Sequence, residues 1–507
     1  MTDPDRSSPI GKALQPPDGH GWVGSAARRP PWTGALLLIL SLPVFWSSWG
    51  FTVDDAWIIS RVASHGAEGH GYTFLAHQSP SDAVTPLGFA RLIGSLGWLI
   101  GRTEPLELWQ LARWLGLACC CTALYLAGFW SNCRRHPAIL GCLLLGTSVT
   151  LVWAGAGLAT PVVSLLLLLG GRQLIAKKRS GGACWLGVAC ALRPELLGFS
   201  AGVCLATWAK HAPPRHTFAA QTAGGLLLPV LLVALIRTQL FDSWLPLSAS
   251  AKQPDFASGV FYCALSAIWW GAGWWIVFAP GKVLSRQPDA LLVGYVGHLV
   301  CLVAVGGDWM PALRLTAPLG PLALWWALSL PPERAVRLRW LAPLSALLPA
   351  WLLFQQADDF RRVTARRLHL VEEGKKALAG AKTVAAVDVG WLGLSHPGAI
   401  VDLGGATDAR IARLPGGHTS KHIAPGMFSD RNIDAWVVRD RKRNFRPGAA
   451  IDEIAPAYVV DARLLRRLTN LGLEPHAQFA LPGTSGQYVV FRRSEKRSAH
   501  QIAGESQ

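Results

Sequence analysis

The sequence predicts a polytopic α-helical membrane protein of about eleven transmembrane helices that ends in a soluble α/β domain outside the membrane. Three observations predict it. The 507 residues are 51% hydrophobic and 16% charged, with 24 Trp and a mean hydropathy of +0.30, too apolar and too tryptophan-rich for an ordinary soluble enzyme. Hydrophobic runs recur from residue 33 to residue 355, separated by short basic clusters. Beyond residue 356 the chain alternates short β-branched or aromatic runs with helix-like stretches.

The runs lie at 33–50, 106–130, 138–154, 161–176, 183–193, 195–209, 219–236, 260–279, 289–305, 315–330 and 339–355, with Pro194 breaking the pair around it. The N-terminal tail carries Arg6, Lys12, Arg28 and Arg29, which places it in the cytoplasm. Counted from there, the loops that return inside hold Arg134 and Arg135, Lys177 to Arg179, Lys210 and Arg215, Lys282 and Arg286, and Arg334, Arg337 and Arg339. Every inside loop is basic, as the positive-inside rule requires. The apolar stretch 86–101 would break this parity as a span and is expected to lie at the interface within the first outer loop. The first run lacks a small-residue cleavage site and reads as a retained signal anchor.

Four regions follow from this topology. They are a disordered cytoplasmic tail at 1–32, a transmembrane domain at 33–355 with its first outer loop at 51–105, an outer α/β domain at 356–495, and a disordered tail at 496–507. In the outer domain, strands are expected over 383–387, 435–438 and 487–491, and helices over 362–378 and 461–471. The net charge of +17 falls in loop clusters rather than along one stripe, the pattern of an anionic leaflet and not of nucleic acid. All ten cysteines precede residue 302, most within apolar runs, so neither a disulfide framework nor a CxxC metal pair is present.

The outer loops hold the unusual polar residues. Asp54 and Asp55 follow the first span directly, and Arg61, His65 and His70 share their loop. Arg193-Pro194-Glu195 interrupts a membrane helix, Trp244 and Lys252 lie in a later loop, and Asp308, Trp309 and Arg314 in the last. Charges at a broken membrane helix require a polar cavity. Asp54 or Asp55 can act as a base, since adjacent carboxylates at a low-dielectric surface raise the pKa of one of them. Arg193, Lys252 and Arg314 suit a phosphate. Arg61, Glu195 and Asp308 suit a sugar or acceptor, and Trp57, Trp244 and Trp309 are placed to stack on sugar rings. Each also has a plain structural reading: a solvated loop end for the acidic pair, an ion pair for Arg193 and Glu195, a helix cap for Asp308, interfacial anchors for the tryptophans. His65 and His70 read as loop residues. A divalent metal is an option at Asp54 and Asp55, though two carboxylates make an incomplete site.

The order Asp54-Asp-Ala-Trp-Ile-Ile-Ser-Arg61, Gly69-His-Gly-Tyr-Thr-Phe74, Thr85-Pro-Leu87, Gly157-Leu-Ala-Thr-Pro161, Leu192-Arg-Pro-Glu195, Trp244-Leu-Pro246, Ala251-Lys252 and Gly306-Gly-Asp-Trp-Met-Pro311 with Arg314 resembles the GT-C membrane glycosyltransferases. It is similar in particular to the terminal arabinofuranosyltransferase type of mycobacterial cell-wall synthesis. Ala386-Val-Asp-Val-Gly-Trp-Leu-Gly393 and Ile400-Val-Asp-Leu-Gly-Gly-Ala-Thr-Asp408 resemble that family's outer domain. The likeness spans about residues 33–440, and order and spacing carry it rather than any single motif. Ala159 stands where the family pattern has an acidic residue.

The resemblance implies an inverting glycosyltransferase in a bacterial inner membrane. Its donor would be a polyprenyl-phosphate sugar, a pentofuranose in the family's best-known case, and its acceptor a cell-envelope glycan or lipid on the periplasmic face. The base carried over is Asp54 or Asp55. Two other classes use similar residues: a transporter or flippase of lipid-linked sugars, and a non-enzymatic membrane scaffold that binds glycan.

Overall fold

The computed structural model describes residues 32–75, 80–131, 137–176, 180–210, 215–252, 255–269, 289–308, 310–329, 332–442, 451–468, 471–482 and 486–493. The expected disordered tails, apart from Trp32, most of the basic loops expected inside and Trp309 lie outside the described residues.

The first ten helices are α1 (Trp32–Ser48), α2 (Asp54–Ala67), α3 (Leu87–Leu99), α4 (Pro105–Trp130), α5 (Pro137–Gly146), α6 (Ser148–Ala154), α7 (Thr160–Ile175), α8 (Gly182–Leu192), α9 (Leu197–Ala209) and α10 (Arg215–Phe241). Then come α11 (Leu247–Ala251), α12 (Phe256–Trp269), α13 (Ala290–Val305), α14 (Gly320–Ser329) and α15 (Pro332–Ala377). Among the described residues two stretches, Pro105–Trp130 and His216–Phe241, are long and apolar enough to cross a membrane. The second exposes Leu227, Leu228, Leu231, Leu232 and Leu235 along its length, a surface suited to an apolar solvent.

Where described, the helices follow the hydrophobic runs with two departures; residues 270–279 of the run at 260–279 lie outside the described residues. The run at 138–154 divides at Thr147 into α5 and α6. The run at 339–355 and the tail's first helix form one helix of 46 residues, so the expected boundary at 356 falls inside α15. Its cause is local: residues 350–373 contain neither Gly nor Pro, so helix propensity continues where hydropathy stops. The stretch expected at the interface is the 13-residue α3, pressed so closely on α2 that a Cβ at Gly94 would lie 2.5 Å from the Ala63 carbonyl oxygen. Small residues also set the contact of α9 with α13, where a Cβ at Gly198 would meet the Gly297 carbonyl at 2.3 Å and one at Gly202 the Gly294 Cα at 2.9 Å.

The C-terminal part comprises β1 (Thr383–Ala386), α16 (Val389–Ser395), β2 (Ala399–Asp402), α17 (Ala409–Ala412), α18 (Gly426–Asp430), β3 (Ala435–Asp440), α19 (Val459–Leu465), β4 (Leu473–Ala480) and β5 (Gln487–Arg493). The strands form one sheet in the order β2-β1-β3-β5-β4, parallel across β2, β1 and β3 and antiparallel across β5 and β4. Strand alternation divides its side chains between two cores. Ala385, Trp436, Val438 and Phe491 face a core local to this part. Val384, Ala386, Val437 and Val490 face the other way, into a core continuous with Trp57, Trp153 and Phe360 of the helical part. The sheet is therefore packed onto the helices, not tethered to them.

Candidate functional site

The adjacent acids Asp54 and Asp55 open α2 and turn to different partners. Both Asp54 oxygens face the C-terminal part: Gly390 N–H donates to Oδ2 at 2.6 Å, Trp391 N–H to Oδ1 at 3.0 Å, and Arg367 Nη1 to Oδ1 at 2.9 Å. The two amides open the first turn of α16, directly after the parallel strand β1. In doubly wound sheets an anionic ligand occupies this place, at the carboxyl end of a strand against a helix N-terminus. Here a carboxylate of the chain's own helical part occupies it. Gly390 is required, because a Cβ there would lie 2.4 Å from the Asp54 carbonyl oxygen. Burial pushes the Asp54 carboxyl up to about 6, with Arg367 working against the rise and Asp388 adding to it. Asp388 itself accepts hydrogen bonds from Tyr458 Oη at 2.7 Å and Tyr488 Oη at 2.6 Å.

Asp55 belongs to a second cluster. Arg314 Nη1 donates to Asp55 Oδ2 at 2.7 Å, and its Nε to Asp308 Oδ2 at 2.7 Å. The backbone before Arg314 is unusual: Gly306 and Gly307 adopt φ of 77° and 68°, and Ala312 and Leu313, neither of them glycine, 53° and 43°. Left-handed alanine and leucine are strained, and such strain persists where the surroundings hold it. It aims both ends of this loop, Asp308 and Arg314, at each other. Burial alone would raise the Asp308 pKa, but Arg314, Lys252 and Arg193 outweigh it and hold the carboxyl below its ordinary value. Arg314, under the fields of Asp308 and Asp55, is held above its ordinary value despite its burial.

Arg193 stands in the same field. Its Nε and Nη2 lie 2.7 and 2.6 Å from Glu195 Oε1, and its Nη1 donates to Thr160 Oγ1 at 3.1 Å. The Pro194–Leu196 turn of 3-10 helix carries this pair between α8 and α9. His298 lies between the carbonyls of Glu195 and Leu315 at 3.1 and 3.2 Å, and Tyr262 Oη accepts from Leu315 N–H at 3.0 Å, so α12 and α13 brace the loop. Lys252, exposed at the end of α11, makes no hydrogen bond or ion pair among the described residues beyond its field on Asp308.

Of the residues singled out in the sequence, the fold brings together Asp55, Arg193, Glu195, Lys252, Asp308 and Arg314. Four expectations change. Asp54 is not an open carboxylate, because amides and Arg367 occupy both its oxygens. Trp57 is fully buried with its ring edge-on to Trp109 at 6.0 Å, so no face is open to a sugar. Arg61 is buried, donates from Nε to the Phe74 carbonyl at 2.7 Å and covers the Phe74 ring, which makes it a brace between α2 and the segment that follows it. Arg193 and Arg314 are not free cations, since buried guanidinium groups require carboxylate partners. Trp244 is exposed. Asp308 also accepts from Met310 N–H at 3.4 Å, so its cap-like contact and its ion pair coexist.

The two acids do not form a shared cation site. Their oxygens take N–H donors from different partners, and among the described residues no group of three His, Cys, Asp or Glu gathers. Sequence reasoning missed Arg367, Thr160, Tyr262 and His298. Only a strand followed by Asp388-Val-Gly-Trp391 hinted at a helix N-terminus ready for an anion. No protein-family model and no curated protein matches the chain.

Proposed function

We propose that the chain is a polytopic membrane glycosyltransferase of the GT-C type. It spans the membrane about eleven times, with its N-terminus in the cytoplasm and its α/β part outside, and moves a sugar from a polyprenyl-phosphate donor to a cell-envelope glycan or lipid. One observation carries the reading: Asp55, Arg193, Glu195, Lys252, Asp308 and Arg314, drawn from four separated segments, share one cluster of balanced charge beside the joint with the outer domain. Asp55 is the base. Arg314 fixes its Oδ2 and the side chain stays half-exposed, so Oδ1 is left to accept the proton of an acceptor hydroxyl. Lys252, without a carboxylate partner among the described residues, meets the incoming lipid phosphate, and the positive fields of Arg193 and Arg314, which stay paired, stabilise it as it leaves. The bond from the anomeric carbon to phosphate oxygen breaks as the acceptor oxygen attacks, and no strong acid is needed for so acidic a leaving group.

Mass spectrometry of lipid-linked sugars and surface glycans in a deletion strain tests this reading. A polyprenyl-phosphate sugar should accumulate while one glycan loses that sugar. Unchanged lipid-linked sugars and glycans would refute it.

A further inference from the structure

A cleft of about 510 Å³ opens where three parts of the chain meet: the first outer loop, the turn between α10 and α11, and the α17 region of the C-terminal part. Its size lies within the ~300–1,000 Å³ of small-ligand sites. The framework is fixed by buried polar contacts. Arg237 pairs with Asp82, whose Oδ2 also accepts from Leu247 N–H at 3.0 Å, and Thr85 Oγ1 lies 3.0 Å from Ser248 Oγ. On the far side Leu247 and Ala251 pack on Ala412. The cleft is thus built by residues that cannot rearrange cheaply.

Its charge is one-sided. Asp82 is neutralised by Arg237 and Asp408 by Arg431. Arg410 and Arg413 also line the cleft, are exposed, and make no side-chain hydrogen bond or ion pair among the described residues. Ser81, Ser243 and Ser250 also line the cleft, with Phe241, whose ring Tyr72 meets edge-on at 6.5 Å. Two uncommitted guanidinium groups in one cleft with three serines and an aromatic side chain match a sugar chain that bears negative charge. Position supports the match. Ser250 lies in the cleft and Lys252, two residues on, lies in the field of Asp308, so about 8 Å of backbone at most separates the cleft from the cluster.

We propose that this cleft is the acceptor site and takes an anionic saccharide, with Arg410 and Arg413 holding its acidic groups. The assignment as acceptor site rests on the transferase reading, whereas recognition of an anionic sugar chain does not. The test is binding of hexagalacturonate and of its fully methyl-esterified form to the full-length protein in phosphatidylcholine nanodiscs. Wild type should bind the acid at least about tenfold tighter than the ester, and Arg410→Gln/Arg413→Gln should abolish that preference. Both arginines are exposed, so the variant should keep its melting temperature. Equal binding of acid and ester, or a preference unchanged in the variant, overturns the proposal. In nanodiscs that also contain phosphatidylglycerol, a variant that loses only its retention of that lipid overturns it too, since the arginines would then serve a lipid headgroup. Arginine-dependent binding in a protein that transfers no sugar would leave the anionic-saccharide site intact and sink the transferase reading instead.

Discussion

Gly390→Ala is expected to open the joint between the helical part and the sheet. The added Cβ would sit 2.4 Å from the Asp54 carbonyl oxygen and 2.6 Å from its Cγ, where ordinary contact begins at 3.4 Å. The backbones must part by about 1 Å, which carries the 2.6 Å hydrogen bond from Gly390 N–H to Asp54 Oδ2 beyond useful length. Overpacking at roughly 1–3 kcal/mol and a weakened charged hydrogen bond at roughly 1.5–3 kcal/mol together give a loss of about 3–5 kcal/mol. Gly393→Ala is the control. Its Cβ would meet the Arg61 Cδ and Phe74 Cζ, each at 3.0 Å, so these side chains need give only a few tenths of an ångström and no backbone must part, and its cost should stay below that of Gly390→Ala. The assay is thermal unfolding of the purified protein in detergent, with hydrogen exchange read at the amides of 389–393. Wild-type melting and unchanged protection in Gly390→Ala would refute the close approach of α2 and α16.

Because Asp54 is pushed up to about 6 from 3.8, the folded protein holds its proton more tightly than the unfolded chain does. Its contribution is complete below about pH 4 and is lost as pH rises through about 6, about 3 kcal/mol in all. Stability measured across that window should slope downward, and Asp54→Asn, which mimics the neutral carboxyl, should flatten the slope. An identical slope in the variant would remove Asp54 as its source. Arg237→Ala leaves Asp82 buried without its cation and should cost about 3–5 kcal/mol in the same melting assay. A loss under about 1 kcal/mol would show that water reaches the pair. Gly202→Leu should force α9 from α13 and cost at least about 2 kcal/mol, a figure that unfolding in detergent would check.

Most of the described helices were legible because each hydrophobic run closes its own backbone hydrogen bonds, and most of those runs end within a few residues of the helix ends. The 46-residue α15 was not, since its apolar signal stops near residue 355 while its helix formers continue. Among the strands, β1, β3 and β5 show β-branched runs. By contrast β2 has four residues directly after Pro397-Gly398, and β4 contains Pro475 and no alternation. The polar cluster was visible as charges in loops that ought to converge. The roles of its two acids were not. Asp54 and Asp55 are neighbours in a helix, and what divides them is their partners: Arg367, Gly390 and Trp391 lie 313 to 337 residues from Asp54, and Arg314 lies 259 residues from Asp55. Such pairings depend on the packing of the sheet against α2, which no local pattern encodes.

Separating the two acids chemically bears most directly on the proposed activity. A deletion strain carrying either Asp55→Asn or Asp54→Asn would be compared for its lipid-linked sugars and surface glycans at equal protein level in the membrane. Asp55→Asn should leave the polyprenyl-phosphate sugar accumulated and the glycan short, while Asp54→Asn restores both. Full restoration by Asp55→Asn would contradict its place as the base and with it the transfer mechanism built on the Asp55–Arg314 pair.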